Sequence, residues 1–158
     1  MIQTFFEWLQ SSRLAVVVGE SWFPWVESTH VMFLALVAGS IFSVDARLIG
    51  FASRQLRFTY VSDRLLPWTW GAFIGAAITG SLLFIANATT YANNIPFRFK
   101  MVLMLLAGIN MLYFQFVTYR NVSAWDAGVP APAARLAGFL SIGLWCGVIG
   151  CGRWVGFV

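Results

Sequence analysis

Charge is what this chain has least of. Charged residues make up 10% of its 158 residues, 59% are hydrophobic and the mean hydropathy is +0.77, whereas an ordinary soluble domain carries roughly 25% charged residues. A soluble fold of this size would lack the polar side chains to cover its own surface. Histidine is nearly absent too. The one imidazole, His30, cannot supply a set of spaced metal ligands or the two axial ligands of a bis-histidine haem. The two cysteines, Cys146 and Cys151, lie five residues apart in one apolar run, about 140° apart around a helix, so they form neither a CxxC pair nor a secreted disulfide framework. There is no phosphate-cradling glycine loop ending in Lys-Ser/Thr and no GxSxG elbow. A non-catalytic protein is expected, one that could still serve as a subunit of a redox complex.

What is present is a set of apolar runs. Residues 28–44, 65–97, 101–119 and 136–152 are free of Asp, Glu, Lys and Arg, and each is long enough, or nearly so, to cross a hydrocarbon layer of roughly 30 Å at about 1.5 Å per residue. The expected fold is therefore an all-α membrane protein, a four-transmembrane-helix antiparallel bundle with spans at about 22–48, 65–88, 97–119 and 134–157. The net charge of +4 comes mostly from arginines flanking the spans. That is the pattern of headgroup anchoring, so no nucleic-acid partner is expected.

Before the first span, Ile2, Phe5, Phe6, Leu9, Val16 and Val17 recur at helical spacing. Residues 1–20 are read as an amphipathic interfacial helix, broken at Gly19, and residues 21–158 as the transmembrane domain. Pro67 suits the first turn of span two, after a connector of about fifteen residues. The first and third connectors hold Arg47, Arg54, Arg57, Arg64, Arg120 and Arg135, against Arg13, Arg98, Lys100 and Arg153 on the other side. The bias favours both termini outside.

On span one, Glu27, His30, Leu34, Ala38, Ile41 and Asp45 fall within an arc of about 80°. Ionisable groups in a membrane are costly, so this face should turn inward or toward a wet cavity. Antiparallel packing would bring Lys100 and Arg98 of span three to the level of Glu27 and His30. The result would be a polar cluster near the outer surface, serving either as a ligand site or as a Glu/Lys staple between spans one and three. Asn110, in mid-membrane, reads as interhelical glue in preference to part of a polar site. At the other end Asp45 sits where the helix dipole disfavours an anion, so a clamp with Arg47, Arg57, Arg64 or Arg135 is expected. The small residues Ala72, Ala76 and Gly80 on span two, and Gly143, Gly147 and Gly150 on span four, are helix-packing positions.

His30 with Met104 or Met111 offers soft donors that suit Cu(I), although methionine is also an ordinary membrane core residue. A haem b would have to use a methionine, a second subunit or one axial ligand. Three functions remain open: binding or passing a small solute such as copper, anchoring a haem or quinone for electron transfer, or packing as a structural subunit. Membrane lipids and either a homo-oligomer or a larger membrane complex are the expected partners.

The segments Trp25-Val26-Glu27-Ser28-Thr29-His30, Asp45-Ala46-Arg47-Leu48-Ile49-Gly50, Phe97-Arg98-Phe99-Lys100 and Ala107-Gly108-Ile109-Asn110 resemble those of a family of uncharacterised bacterial four-helix membrane proteins. That family is distantly similar to the membrane bundles of the copper-resistance D type. The resemblance covers roughly residues 20–119. It implies a bacterial inner-membrane location and metal handling at the periplasmic face. Members carry a histidine shortly after the span-three asparagine, where this chain has Gln115.

Overall fold

The computed structural model describes residues 2–157. Met1 and Val158, the ends of the two expected segments, and the side chain of Ile2, counted in the N-terminal stripe, lie outside the described residues. In chain order the helices are α1 (Ile2–Gln10), α2 (Arg13–Val17), α3 (Phe23–Ile49), α4 (Phe58–Ala86), α5 (Ala88–Asn93), α6 (Ile95–Tyr113) and α7 (Pro132–Trp154). A wide π turn, Val18–Trp22, joins α2 to α3, and α6 runs on through π and 3-10 segments to Ala124. Four continuous helical stretches, Arg13–Ile49, Phe58–Ala86, Ile95–Ala124 and Pro132–Phe157, are long and apolar enough to cross a bilayer. The all-α, four-span architecture with a short N-terminal helix is the one expected.

Two boundaries differ from expectation. The N-terminal helix ends at Gln10, not near residue 18, and the helical stretch long enough to hold the first span begins at Arg13. Ser12 makes the break: its backbone is extended (φ −63°, ψ 145°) and its hydroxyl accepts from the Ala15 N–H at 3.3 Å, capping the new helix. Gly19 lies within the π turn, where the helix continues. Second, α4 starts at Phe58, so Pro67 lies inside the helix and the connector shrinks to residues 50–57. The cause is long-range. Asp126, from the connector before α7, accepts from the Thr59 N–H (2.8 Å) and hydroxyl (2.9 Å), and its carbonyl accepts from the Phe58 N–H at 2.9 Å. Free N–H groups at the start of α4 are thus satisfied from another part of the chain, which lets the helix begin two turns before its proline. At the far end of α3, Gly50 takes the left-handed conformation (φ 82°) that closes a helix C-terminus.

α3 packs against α4 on one side and α7 on the other, and α6 packs against α7. Closure between α4 and α6 depends on rings: Phe84 meets Phe97 at 5.5 Å near the termini, and Phe58 meets Phe114 at 5.8 Å near the connectors. Leu48, Phe58, Trp125 and Ala134 form a buried apolar cluster at the connector end, with Val44, Phe114 and Tyr119 packed around it. The buried polar side chains Asp45, Arg47, Ser62 and Thr118 lie at this end too, whereas the half-buried His30 and Lys100 lie toward the opposite end, beside the termini.

Candidate functional site

His30 is half-buried at the α3–α4 contact. Its Nδ1 lies 2.9 Å from the Thr79 hydroxyl, and that hydroxyl lies 2.7 Å from the Gly75 carbonyl oxygen. A carbonyl can only accept, so the one proton of Thr79 is committed to Gly75. Thr79 must then accept from His30, which places a proton on Nδ1, and the ring also meets the Ala76 backbone carbonyl. Gly80 makes the seat for the ring: a Cβ there would stand 2.9 Å from His30 Cε1. The small-residue stripe that ends at Gly80 is therefore, with the adjacent Thr79, the socket of the imidazole as well as a packing face.

Lys100, on α6, is half-buried and lies along Gly152 of α7, where an added Cβ would stand 3.3 Å from Nζ. Its ammonium is within electrostatic range of both His30 and Cys151. Glu27 is exposed at the rim, and no ion pair links it to Lys100 or Arg98 among the described residues. It faces Tyr91 of α5: burial pushes the Tyr91 phenol up from its ordinary value, and the Glu27 carboxylate pushes it the same way. Tyr91, Phe84 and Phe97 stack nearly parallel, with centroids 5.5–6.5 Å apart and interplanar angles of 16–23°. Arg98 is exposed and turns its Nε to the Ala92 carbonyl at 2.9 Å.

The structure thus brings Lys100 within electrostatic range of His30 and Cys151, seats His30 on Thr79, sets Glu27 at the edge near Tyr91 of the aromatic stack, and directs Arg98 to the α5 loop. Asn110 is elsewhere. Its Nδ2 donates to the Ala137 carbonyl at 2.9 Å, joining α6 to α7. Asn110→Leu should lower the unfolding free energy by about 0.6 kcal/mol, the usual size of an interhelical hydrogen bond in a membrane, as read by thermal unfolding in detergent.

Met104 is half-buried and Met111 faces outward, and no group of three or more His, Cys, Asp or Glu side chains able to hold a metal ion occurs among the described residues.

At the connector end the expected Asp45 clamp takes another form. Asp45 is 6% exposed; it meets the Ser141 hydroxyl, and its Oδ2 has no hydrogen-bond partner. No cation pairs with it among the described residues. Arg57 and Arg135 are exposed, and the Arg64 guanidinium lies 5.6 Å over the Tyr60 ring. Arg47, two residues on, points some 200° around the helix from Asp45. It is 1% exposed, donating from Nε to the Leu56 carbonyl (2.8 Å) and from Nη2 to the carbonyls of Asp126 (3.0 Å) and Gly128 (3.5 Å). The clamp is real but runs from Arg47 to backbone, and Asp45 takes no part in it. Sequence reasoning missed Asp126 and Ser141. An acid placed one residue after Trp125 in a Gly-Pro-marked connector carries no local signal that it caps a helix 67 residues earlier.

Four apolar helical spans with short connectors and an interfacial N-terminal helix define a multi-pass helical membrane protein. The chain belongs to DUF6644, a family of unknown function, which it matches over residues 5–158. No curated protein and no solved structure matches the chain. Membership extends the resemblance beyond residues 20–119 to nearly the whole chain, and it carries no copper-resistance identity with it.

Proposed function

We propose that this protein is a non-catalytic component of the bacterial inner membrane, both termini periplasmic, that holds a small ligand with hydrogen-bond-accepting oxygens between His30 and Lys100. A quinone-type ring suits the site best. The observation that carries this reading is the pairing of an imidazole pinned through Nδ1 and a half-buried ammonium with no carboxylate paired to it among the described residues. Lys100 is a donor for a carbonyl oxygen, and Nε2 offers a lone pair or, once protonated, a second donor. Phe84, Tyr91 and Phe97 supply flat apolar faces at the same level. Glu27 is the polar rim of the site and Arg98 its connection to the surface loop.

Copper is the weaker candidate at this place. A cation on Nε2 would lie within electrostatic range of the Lys100 ammonium, and Met111 faces outward. Haem b would have His30 as its sole imidazole ligand.

The test is titration of the purified protein with a short-chain quinone, alongside Cu(I) titration and an absorption spectrum. Saturable quinone binding is expected, weakened roughly tenfold by His30→Ala and by Lys100→Met, the loss of about one charge-assisted hydrogen bond each. Absence of saturable binding, or binding indifferent to both substitutions, would overturn the reading. Stoichiometric Cu(I) binding that His30→Ala abolishes would transfer the site to the metal.

A further inference from the structure

The two ends of the molecule differ in exposed charge more than a count of basic residues suggests. At the connector end Arg54, Arg57, Arg64, Arg120 and Arg135 are exposed, and the single exposed acid is Asp63. Arg47 is withdrawn into the fold, and the Asp126 carboxylate is occupied by Thr59. At the other end the exposed charges balance, with Arg13, Arg98 and Arg153 against Glu7, Glu20 and Glu27. The five guanidiniums also stand on one tied platform. Asp126 and Arg47 bind the first connector to the third through Phe58, Thr59 and Leu56. Phe51, Leu56 and Val129, on the same two connectors, are exposed apolar side chains, which suits a surface lying in the headgroup region.

We propose that the connector end is a binding surface for the phosphodiester headgroups of anionic phospholipids, held by this collar of arginines. A guanidinium presents paired N–H donors that match phosphate oxygens bidentately. Each basic group near an anionic membrane surface favours its occupancy by anionic lipid, and the effect fades beyond a Debye length of about 8–10 Å. The balanced end has no such preference, so the selectivity belongs to one leaflet. This inference does not depend on what His30 and Lys100 bind.

The test uses the full chain in mixed micelles of phosphatidylglycerol and phosphatidylcholine, counting retained lipids by native mass spectrometry. The wild-type protein is expected to retain phosphatidylglycerol about fivefold over its share of the mixture. The preference should fall to near parity in the combined variant Arg57→Gln, Arg64→Gln, Arg120→Gln, Arg135→Gln, all exposed positions. A control with Arg13→Gln, Arg98→Gln and Arg153→Gln should keep it. Wild-type parity, an equal fall in the control, or an unchanged preference in the collar variant would overturn the proposal. Displacement of the lipid by inorganic phosphate at matched concentration would assign the collar to free phosphate, and so would also overturn it.

Discussion

Arg47→Ala should lower the thermal midpoint of the protein in detergent by roughly 6–20 °C, corresponding to about 3–5 kcal/mol for a chain of this size. The side chain is 1% exposed and fans across three backbone carbonyls from two connectors. Truncation removes a buried cation's hydrogen bonds, each worth about 1.5–3 kcal/mol, and leaves the Leu56 carbonyl without the donor it had. It also opens a space beside the cluster of Leu48, Phe58 and Trp125. Arg47→Lys, with one ammonium in place of a fork, should fall between the two proteins. Matched midpoints for wild type and Arg47→Ala would show that the connectors are held by the apolar cluster alone.

The same latch marks how far the sequence could be read. The spans were legible because lipid imposes a requirement on every residue of a long run, and water-soluble folds seldom carry apolar runs of that length. The polar face of span one was legible for the same reason, since helical geometry places Glu27, His30 and Asp45 together before any tertiary structure is known. Pairing was not. Which carbonyls Arg47 would reach depends on how the first and third connectors meet, as its bond to Asp126, 79 residues on, shows. The helix dipole, which disfavours an anion at a C-terminus, calls for a cation beside Asp45, yet its neighbour across the α3–α7 contact is Ser141. Membrane level alone pairs Glu27 with Lys100, but depth fixes only one coordinate, and Lys100 turns toward Gly152. Helix limits shifted where a cap came from afar, as with Asp126 and α4, or where a modest local signal, Ser12, outweighed the more obvious Gly19.

The second large effect separates glycines that look alike in sequence. An added Cβ at Gly75 would stand 2.6 Å from the Phe33 ring, whereas one at Gly108 would meet nothing within 4 Å. Gly75→Ala must displace a ring held between α3 and α4, an overpacking cost of about 1–3 kcal/mol, or roughly 2–12 °C in the thermal midpoint. Gly108→Ala should be stabilising by up to about 1 kcal/mol, because alanine is the better helix former and no neighbour has to move. Gly80→Ala adds a functional readout. Its Cβ would press on His30 Cε1 at 2.9 Å, turning the ring away from Thr79 and releasing the tautomer that the Thr79–Gly75 hydrogen bond imposes. Gly80→Ala should therefore weaken ligand binding at His30 and Lys100, while Gly75→Ala, one turn and a half away, should cost stability with little change in affinity. Equal losses of affinity in both variants would mean that the socket matters only through the packing of α3 on α4, and that Thr79 does not orient the imidazole.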